Sequence, residues 1–311
     1  MTDPSGPILV TGANGRLGRR LLRRLAARRP RTPLRALVRS QRAADALASL
    51  QRETGTQVEV VDYTDTAGLS KAASGARAAV HLVGILKQTR GNRYVDAHER
   101  ACRALARAAE AGGLQRIVYL SILGSRPDSA NDCLASKGRA ERILLEAPTR
   151  ALVLRVPMVL GPGDPASQAL RRQAEAGSVR LVRGGATREQ PIAADDVVAA
   201  IVSGLERVDP LDAALDLAGP ESLSHRALVE RAAAILGRSV VVRSLPLFLA
   251  RALAAIAERL VADPPLTRAM LGVLEHDDDI DPAPACERLG ITLTPLDETL
   301  RRALANGDSP T

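Results

Sequence analysis

The stretch "LVTGANGRLGRRLL" carries Gly12, Gly15 and Gly18 in a G-x-x-G-x-x-G pattern between an apolar run and a helical period, the context in which glycines cradle phosphates. Gly12 permits a tight turn, Gly15 lets a pyrophosphate approach the backbone, and Gly18 allows a helix to pack closely. Asn14 stands inside the turn, and the N–H groups around Arg16 and Leu17 open the helix toward the phosphates. A dinucleotide is the implied ligand. The next apolar run, "LRALVRS", ends in Arg39 and Ser40 with no acid. A carboxylate at that place would hold a ribose 2′-hydroxyl, whereas a guanidinium matches a 2′-phosphate by charge and geometry. NADP(H) is therefore favoured, with NAD(H) as the alternative.

The elements that must position these residues alternate. Short β-branched runs at "PILVTG", "LRALVRS", "QVEVVDY", "AVHLVG", "RIVYLSI" and "RALVLRVPMVLG" are separated by helical periods, including a long one over Val95 to Ala111 that stops at Gly112 and Gly113. Nearly continuous apolar strands in such alternation predict a parallel sheet covered on both faces. The fold class is α/β: a doubly wound, Rossmann-type sheet over residues 1–160, with a smaller, discontinuous α/β lobe over 161–311. Within that lobe, segments near 188–200 and 212–219 are expected to return to the main sheet. The run "LPLFLARALAAIAERLV", broken by Arg251 and Glu258, reads as a core helix rather than a membrane-surface one.

Composition narrows the function. With 46% hydrophobic and 25% charged residues among 311, the chain is an ordinary globular protein. Its only aromatic residues are Tyr63, Tyr94, Tyr119 and Phe248, so base stacking on nucleic acid has little to work with and no nucleic-acid partner is expected. Three scattered cysteines suggest neither a disulfide framework nor a zinc site, and fit a reducing cytoplasm. His81, His98 and the acidic "EHDDDIDP" run show no metal spacing, and no metal is expected. The net charge of +8 is concentrated in part on Arg19, Arg20, Arg23, Arg24, Arg28 and Arg29. A solvated helix face is one reading of that run; an acidic protein or a membrane surface, with the chain peripheral to it, is the other.

Taken together these motifs resemble the short-chain dehydrogenase/reductase superfamily, in particular its extended and atypical members. Thr11 to Gly18 matches the family's T-G-x-x-G-x-x-G, and Asp62, followed by Tyr63, its adenine-side acid. The "HLVGIL" run, with Leu82, Val83 and Gly84 against the cofactor, is similar to the NAD(P)H-binding accessory subunit of respiratory complex I and its bacterial relatives. In active members a serine orients the substrate, a tyrosine transfers the proton and a lysine four residues later holds the nicotinamide ribose. The resemblance places Ser121 and Lys137 in the first and last roles. The tyrosine's position holds Cys133.

A thiol is acidic enough for proton transfer, and a lysine nearby would lower its pKa further, but its sulfur reaches less far than a phenol oxygen. Three readings of Cys133 follow: an inert filler, a group replaced by another donor such as Tyr94, or a reactive thiol. The resemblance thus implies an NADPH-binding protein with a degenerate catalytic motif and a structural, assembly or sensing role. The alternative is an oxidoreductase or epimerase-like enzyme acting on a small carbonyl or sugar-type substrate through Ser121, Lys137 and an unconventional donor.

Overall fold

A computed structural model describes residues 6–28, 32–89, 91–207, 213–261, 264 and 267–305. Arg29 and residue 212 lie outside the described residues. The elements begin with β1 (Ile8–Thr11), α1 (Arg16–Ala26), β2 (Leu34–Val38), α2 (Gln41–Asp45), α3 (Ala48–Thr54), β3 (Gln57–Val60), α4 (Thr66–Ala73) and β4 (Ala78–His81). A π-helical turn over Val95–Arg100 leads into α5 (Ala101–Gly112), followed by β5 (Arg116–Ile122), α6 (Asp132–Leu145), β6 (Arg150–Val156) and β7 (Val159–Leu160). Then come α7 (Pro165–Glu175), β8 (Ser178–Val182), β9 (Arg188–Glu189), β10 (Ile192–Ala193), α8 (Ala194–Glu206) and β11 (Ala213–Asp216). The chain closes with β12 (Leu223–Ser224), α9 (His225–Ile235), β13 (Val241–Leu245), α10 (Leu247–Leu260), α11 (Arg268–Leu274), α12 (Ala283–Leu289) and α13 (Leu296–Leu304).

Two compact units form: Met1–Arg155 with Val198–Leu215, and Val156–Val197 with Asp216–Pro310. The first holds a seven-stranded sheet in the order β11-β6-β5-β4-β1-β2-β3. Its pairs β3–β2, β2–β1, β1–β4 and β4–β5 are parallel, as continuous apolar strands require. The order reverses between β1 and β4, and in such sheets ligands bind in the crevice beyond the carboxyl ends at that point. With few aromatic residues available, the core is filled by Leu9, Leu37, Leu105, Ile117 and Val153 among many alanines, and Tyr119 is its largest fully buried side chain.

Two expectations need adjustment. Segment 188–200 does not rejoin the main sheet as a strand: β9 pairs with β12 and β10 with β7. Gln190 fastens it there, its amide donating to Gly219 O at 2.8 Å and Ile280 O at 2.9 Å. From Val198 onward α8 belongs to the first unit, where the buried Arg116 guanidinium donates to Gly204 O and Arg207 O, the orphan carbonyls of its C-terminal end. The strand that does return, β11, lies at the sheet edge beside β6. Finally, α10 is not a core helix: Ala250 and Ala254 are buried, while its larger apolar residues face outward, because the two-stranded β8–β13 ladder beneath covers one side only.

The first helix behaves as a solvated face on its arginine side. Leu21, Leu22 and Leu25 are buried, and Arg23 and Arg28 pair with Glu53 at 3.1 Å and Glu206 at 2.6 Å. The acids of "EHDDDIDP" are likewise structural, Asp277 accepting the Arg188 N–H and Asp279 meeting its guanidinium at 3.1 Å.

Helix α6 is pinned at its cap and along its side. Asn131 caps it, accepting from the Cys133 and Leu134 N–H groups, and Gly138 touches the loop before it so closely that a Cβ would lie 2.2 Å from the Arg126 carbonyl carbon. Gly138→Ala should therefore overpack a rigid contact and cost about 2 kcal/mol, read as a lower urea midpoint. An unchanged midpoint would show that the loop yields freely.

Candidate functional site

At the carboxyl end of the sheet a cavity of about 850 Å³ opens in the first unit. It is lined at the end of β1 by Gly12, Asn14 and Gly15, at β2 by Arg39 and Ser40, at β3 by Asp62 and Tyr63, and at β4 by Leu82, Val83 and Gly84. The structure thus brings together ten of the residues singled out in the sequence. Arg16 and Leu17 open α1 beside the cavity without lining it, Gly18 lies beneath it, and Lys137 sits behind Gly84. Ala43, Thr64, Ile85, Asn92, Asp96, Ala97 and Arg100 also line the wall. The last four come from the segment around the π-helical turn, a geometry for which the continuous helical period of Val95 to Ala111 gave no signal.

The glycines fit their expected work. Gly12 adopts φ +69°, and a Cβ on it would stand 3.2 Å from the Leu82 carbonyl carbon. On Gly18 a Cβ would lie 2.7 Å from Ala13 O, so α1 can start against the turn only without a side chain. Gly15 is the N-cap of α1 and gives no side-chain cap, and no acid stands in its first turn. The helix therefore presents its N–H groups and positive dipole end to an anion. A dinucleotide pyrophosphate suits that cradle.

Tyr63 ties the cradle together. Its hydroxyl accepts from the Gly12 N–H at 2.9 Å and donates to Leu37 O at 2.8 Å. Burial raises its pKa above the ordinary phenol value, so it stays a neutral donor. Arg39 lies 6.0 Å from the ring centroid and donates to Asn92 Oδ1 at 3.3 Å. Ser40 caps α2 through the Ala43 N–H, and Asp62 accepts from Thr64.

Beyond Gly84 lies the group expected to do chemistry, and all of it is buried. Cys133, Lys137 and Glu141 recur every fourth residue on one face of α6. The Lys137 ammonium donates to Val83 O at 3.3 Å and Leu120 O at 3.0 Å, above the Tyr119 ring. Burial lowers its pKa to about 8. Ser121 donates to Glu141, whose other oxygen holds Arg155 at 2.7 Å, a buried network that sequence reasoning missed because its members are far apart in the chain. The Cys133 thiol donates to Ile85 O at 3.4 Å. Its expected acidity is not found: burial pushes it up to about 11, and nearby Lys137 only partly opposes this. Tyr94 stands nearby, its hydroxyl donating to the carbonyl of the next residue, Leu86 O, at 2.8 Å. Burial first, then the neighbouring Cys133, raises the Tyr94 pKa as well.

Two histidines pack behind the group. His81 meets Thr11 Oγ1 at 2.7 Å, and His98 Nε2 accepts the Ile85 N–H at 3.1 Å. Among the described residues no cluster of His, Cys, Asp or Glu could hold a metal ion. Burial pushes both imidazoles down to about 3. In the unfolded chain they titrate near 6.5, so protons favour unfolding below that pH, and the stability that neutral histidines contribute is lost as pH falls from about 6.5 toward 3. Between pH 7 and 5 each should remove about 2 kcal/mol, seen as a falling urea midpoint. His98→Gln should abolish roughly half of that fall; a variant with the full wild-type dependence would mean that His98 titrates normally.

Known proteins place this arrangement. A family model described as NAD(P)H-binding matches residues 12–207. Ceramide reductase of Caulobacter vibrioides (strain NA1000 / CB15N) is 32% identical over 204 residues, 65% of this chain and 62% of its own. The mitochondrial NADH dehydrogenase [ubiquinone] 1 alpha subcomplex subunit 9 of Arabidopsis thaliana is 29% identical over 229 residues, 71% of this chain and 56% of its own. The chain thus spans less than two thirds of the length of either relative. In fold it is similar to the Citrobacter sp. triphenylmethane reductase complexed with NADP(H), with TM-score 0.73 and 19% identity over 96% of this chain and 100% of the other. It is likewise similar to an NADPH-dependent quinone oxidoreductase of Escherichia coli complexed with NADPH, with TM-score 0.71 and 21% identity over 94% and 98%. The cradle, the strand order and the length of the family match lead to one assignment: the chain is an NAD(P)H-binding protein of the atypical short-chain dehydrogenase/reductase kind.

Proposed function

We propose that the chain holds NADPH as a structural, assembly or sensing ligand and turns it over little. The observation that carries this reading is the contrast across Gly84: an open, glycine-built cradle on one side, and on the other a serine, thiol and lysine that are buried and engaged with their own surroundings. NADPH supplies hydride chemistry when bound. Proton transfer to an oxygen, which the protein would have to provide, is opposed by raised pKa values at both Cys133 and Tyr94. Gly12, Gly15 and the α1 N-terminus would hold the pyrophosphate, Asp62 and Tyr63 would flank the adenine side, and Lys137 would serve the nicotinamide ribose. Similarity to a complex I subunit favours a role within a protein assembly. The free thiols Cys102, Cys133 and Cys286 favour a reducing compartment such as the cytoplasm.

The preference for NADPH rests on Arg39, the cation at the end of β2 that lines the cavity. NADPH should bind about tenfold more tightly than NADH, and Arg39→Ala should close that gap while leaving NADH affinity nearly unchanged. Equal affinities in the wild-type protein would remove the preference, read by fluorescence titration.

A second reading, a reductase acting on a carbonyl substrate, is favoured by one proximity. Tyr94 donates to Leu86 O and Cys133 to the adjacent Ile85 O, so a tyrosine hydroxyl stands near the place where the superfamily's own is missing. The similarity to ceramide reductase adds a lipid-linked carbonyl to the substrates worth testing. On the binding reading, Cys133→Tyr gains NADPH oxidation with a carbonyl panel where the wild type has almost none. On the reductase reading the wild type is active, and Tyr94→Phe lowers kcat by about a hundredfold without altering NADPH affinity.

A further inference from the structure

Helix α10 in the second unit is built inside out. Its small residues Ala250 and Ala254 turn inward onto Val182, Leu245 and Leu271, while Leu249, Leu253, Ile256 and Leu260 recur at helical spacing on the outer side. Phe248, the chain's one phenylalanine, is 75% exposed on the shoulder of this row, and Leu260 is 79% exposed. A surface helix ordinarily shows the reverse arrangement. Single exposed leucines carry no meaning, but a contiguous row of large ones marks a surface made for contact.

Charge identifies what it contacts. The described acids of the α10–α11 pair, Glu258 and Glu275, are already held by Arg268 at 2.9 Å and Arg251 at 3.1 Å. Arg259, on the outer side of α10, has no acidic partner among the described residues. Nor have Arg180 and Arg243, which are neighbours in the β8–β13 register. By strand alternation these two lie on the face whose Val182 and Leu245 pack under α10. An apolar row edged by free arginines is the pattern of a helix lying in a membrane interface. A second copy of this face would set the same arginines against each other, which opposes self-association.

We propose that this face docks on an anionic lipid bilayer, with Leu249, Leu253, Ile256 and Leu260 in the acyl boundary and Arg180, Arg243 and Arg259 on lipid phosphates. The helix is about 21 Å long. No described helix is long and apolar enough to cross a membrane, so the contact is one-sided. Its attraction has both an apolar part and a part that salt screens.

The test is co-sedimentation of the full chain with vesicles of phosphatidylcholine alone and of phosphatidylcholine containing about a third phosphatidylglycerol. Anionic vesicles should bind at least about tenfold more tightly, with the difference shrinking in about 0.5 M salt. The double variant L253Q/I256Q should lose at least about tenfold in vesicle affinity while keeping its thermal midpoint and its NADPH affinity. Equal sedimentation of wild type and a folded double variant would overturn the proposal. So would a wild-type dimer that ignores vesicles and that L253Q/I256Q converts to monomer, since the face would then belong to a second copy of the chain.

Discussion

The first unit depends on one close approach: the backbone of the turn after β1 against the backbone at the end of β4. Gly12 sits where a Cβ would press on the Leu82 carbonyl, and Gly18 where one would strike Ala13 O. Both contacts are between main chains, so neither can be relieved by a rotamer change. They set the floor of the cavity at the point where the strand order reverses. Tyr63 then uses a single hydroxyl to hold the Gly12 N–H and the Leu37 carbonyl, locking the turn to the neighbouring strand. The turn that forms the cradle is held by main-chain packing and by hydrogen bonds within the protein itself.

The same packing explains why the neighbouring group behaves unlike its sequence suggests. A lysine one helical turn from a thiol should make it more acidic, yet desolvation of Cys133 outweighs the attraction of a Lys137 that is itself desolvated. Lys137 spends its donors on the carbonyls that end β4 and β5, and Ser121 spends its hydroxyl on Glu141. The four polar side chains on this side satisfy one another and the backbone. Buried networks satisfied in this way define a unique packing.

Much of this was legible in the sequence, for reasons that differ from residue to residue. The strands were plain because a parallel sheet buried on both faces leaves uninterrupted apolar runs, and the cradle because its glycines must occur at fixed offsets. What stayed hidden were contacts between residues distant in the chain: Glu141 with Arg155 and Ser121, Gln190 with Ile280, and the approach of Tyr94 to Cys133. The π-helical turn was also invisible, since it disturbs the hydrogen bonding of a helix without changing its apolar period. For α10 periodicity misled, because its two apolar faces read as a core helix while the structure covers only the one bearing alanines.

Strand β11 adds a constraint on how the molecule comes to be made. Residues 156–197 are synthesised between the sixth strand and the helix and strand that complete its unit. Until that helix and strand have been made, β6 has no strand to pair with on its far side, and the carbonyls at the end of α8 to which Arg116 donates do not yet exist. The nascent chain therefore carries a pairing-competent edge through a stretch of translation lasting several seconds, about the interval in which such intermediates meet chaperones or one another.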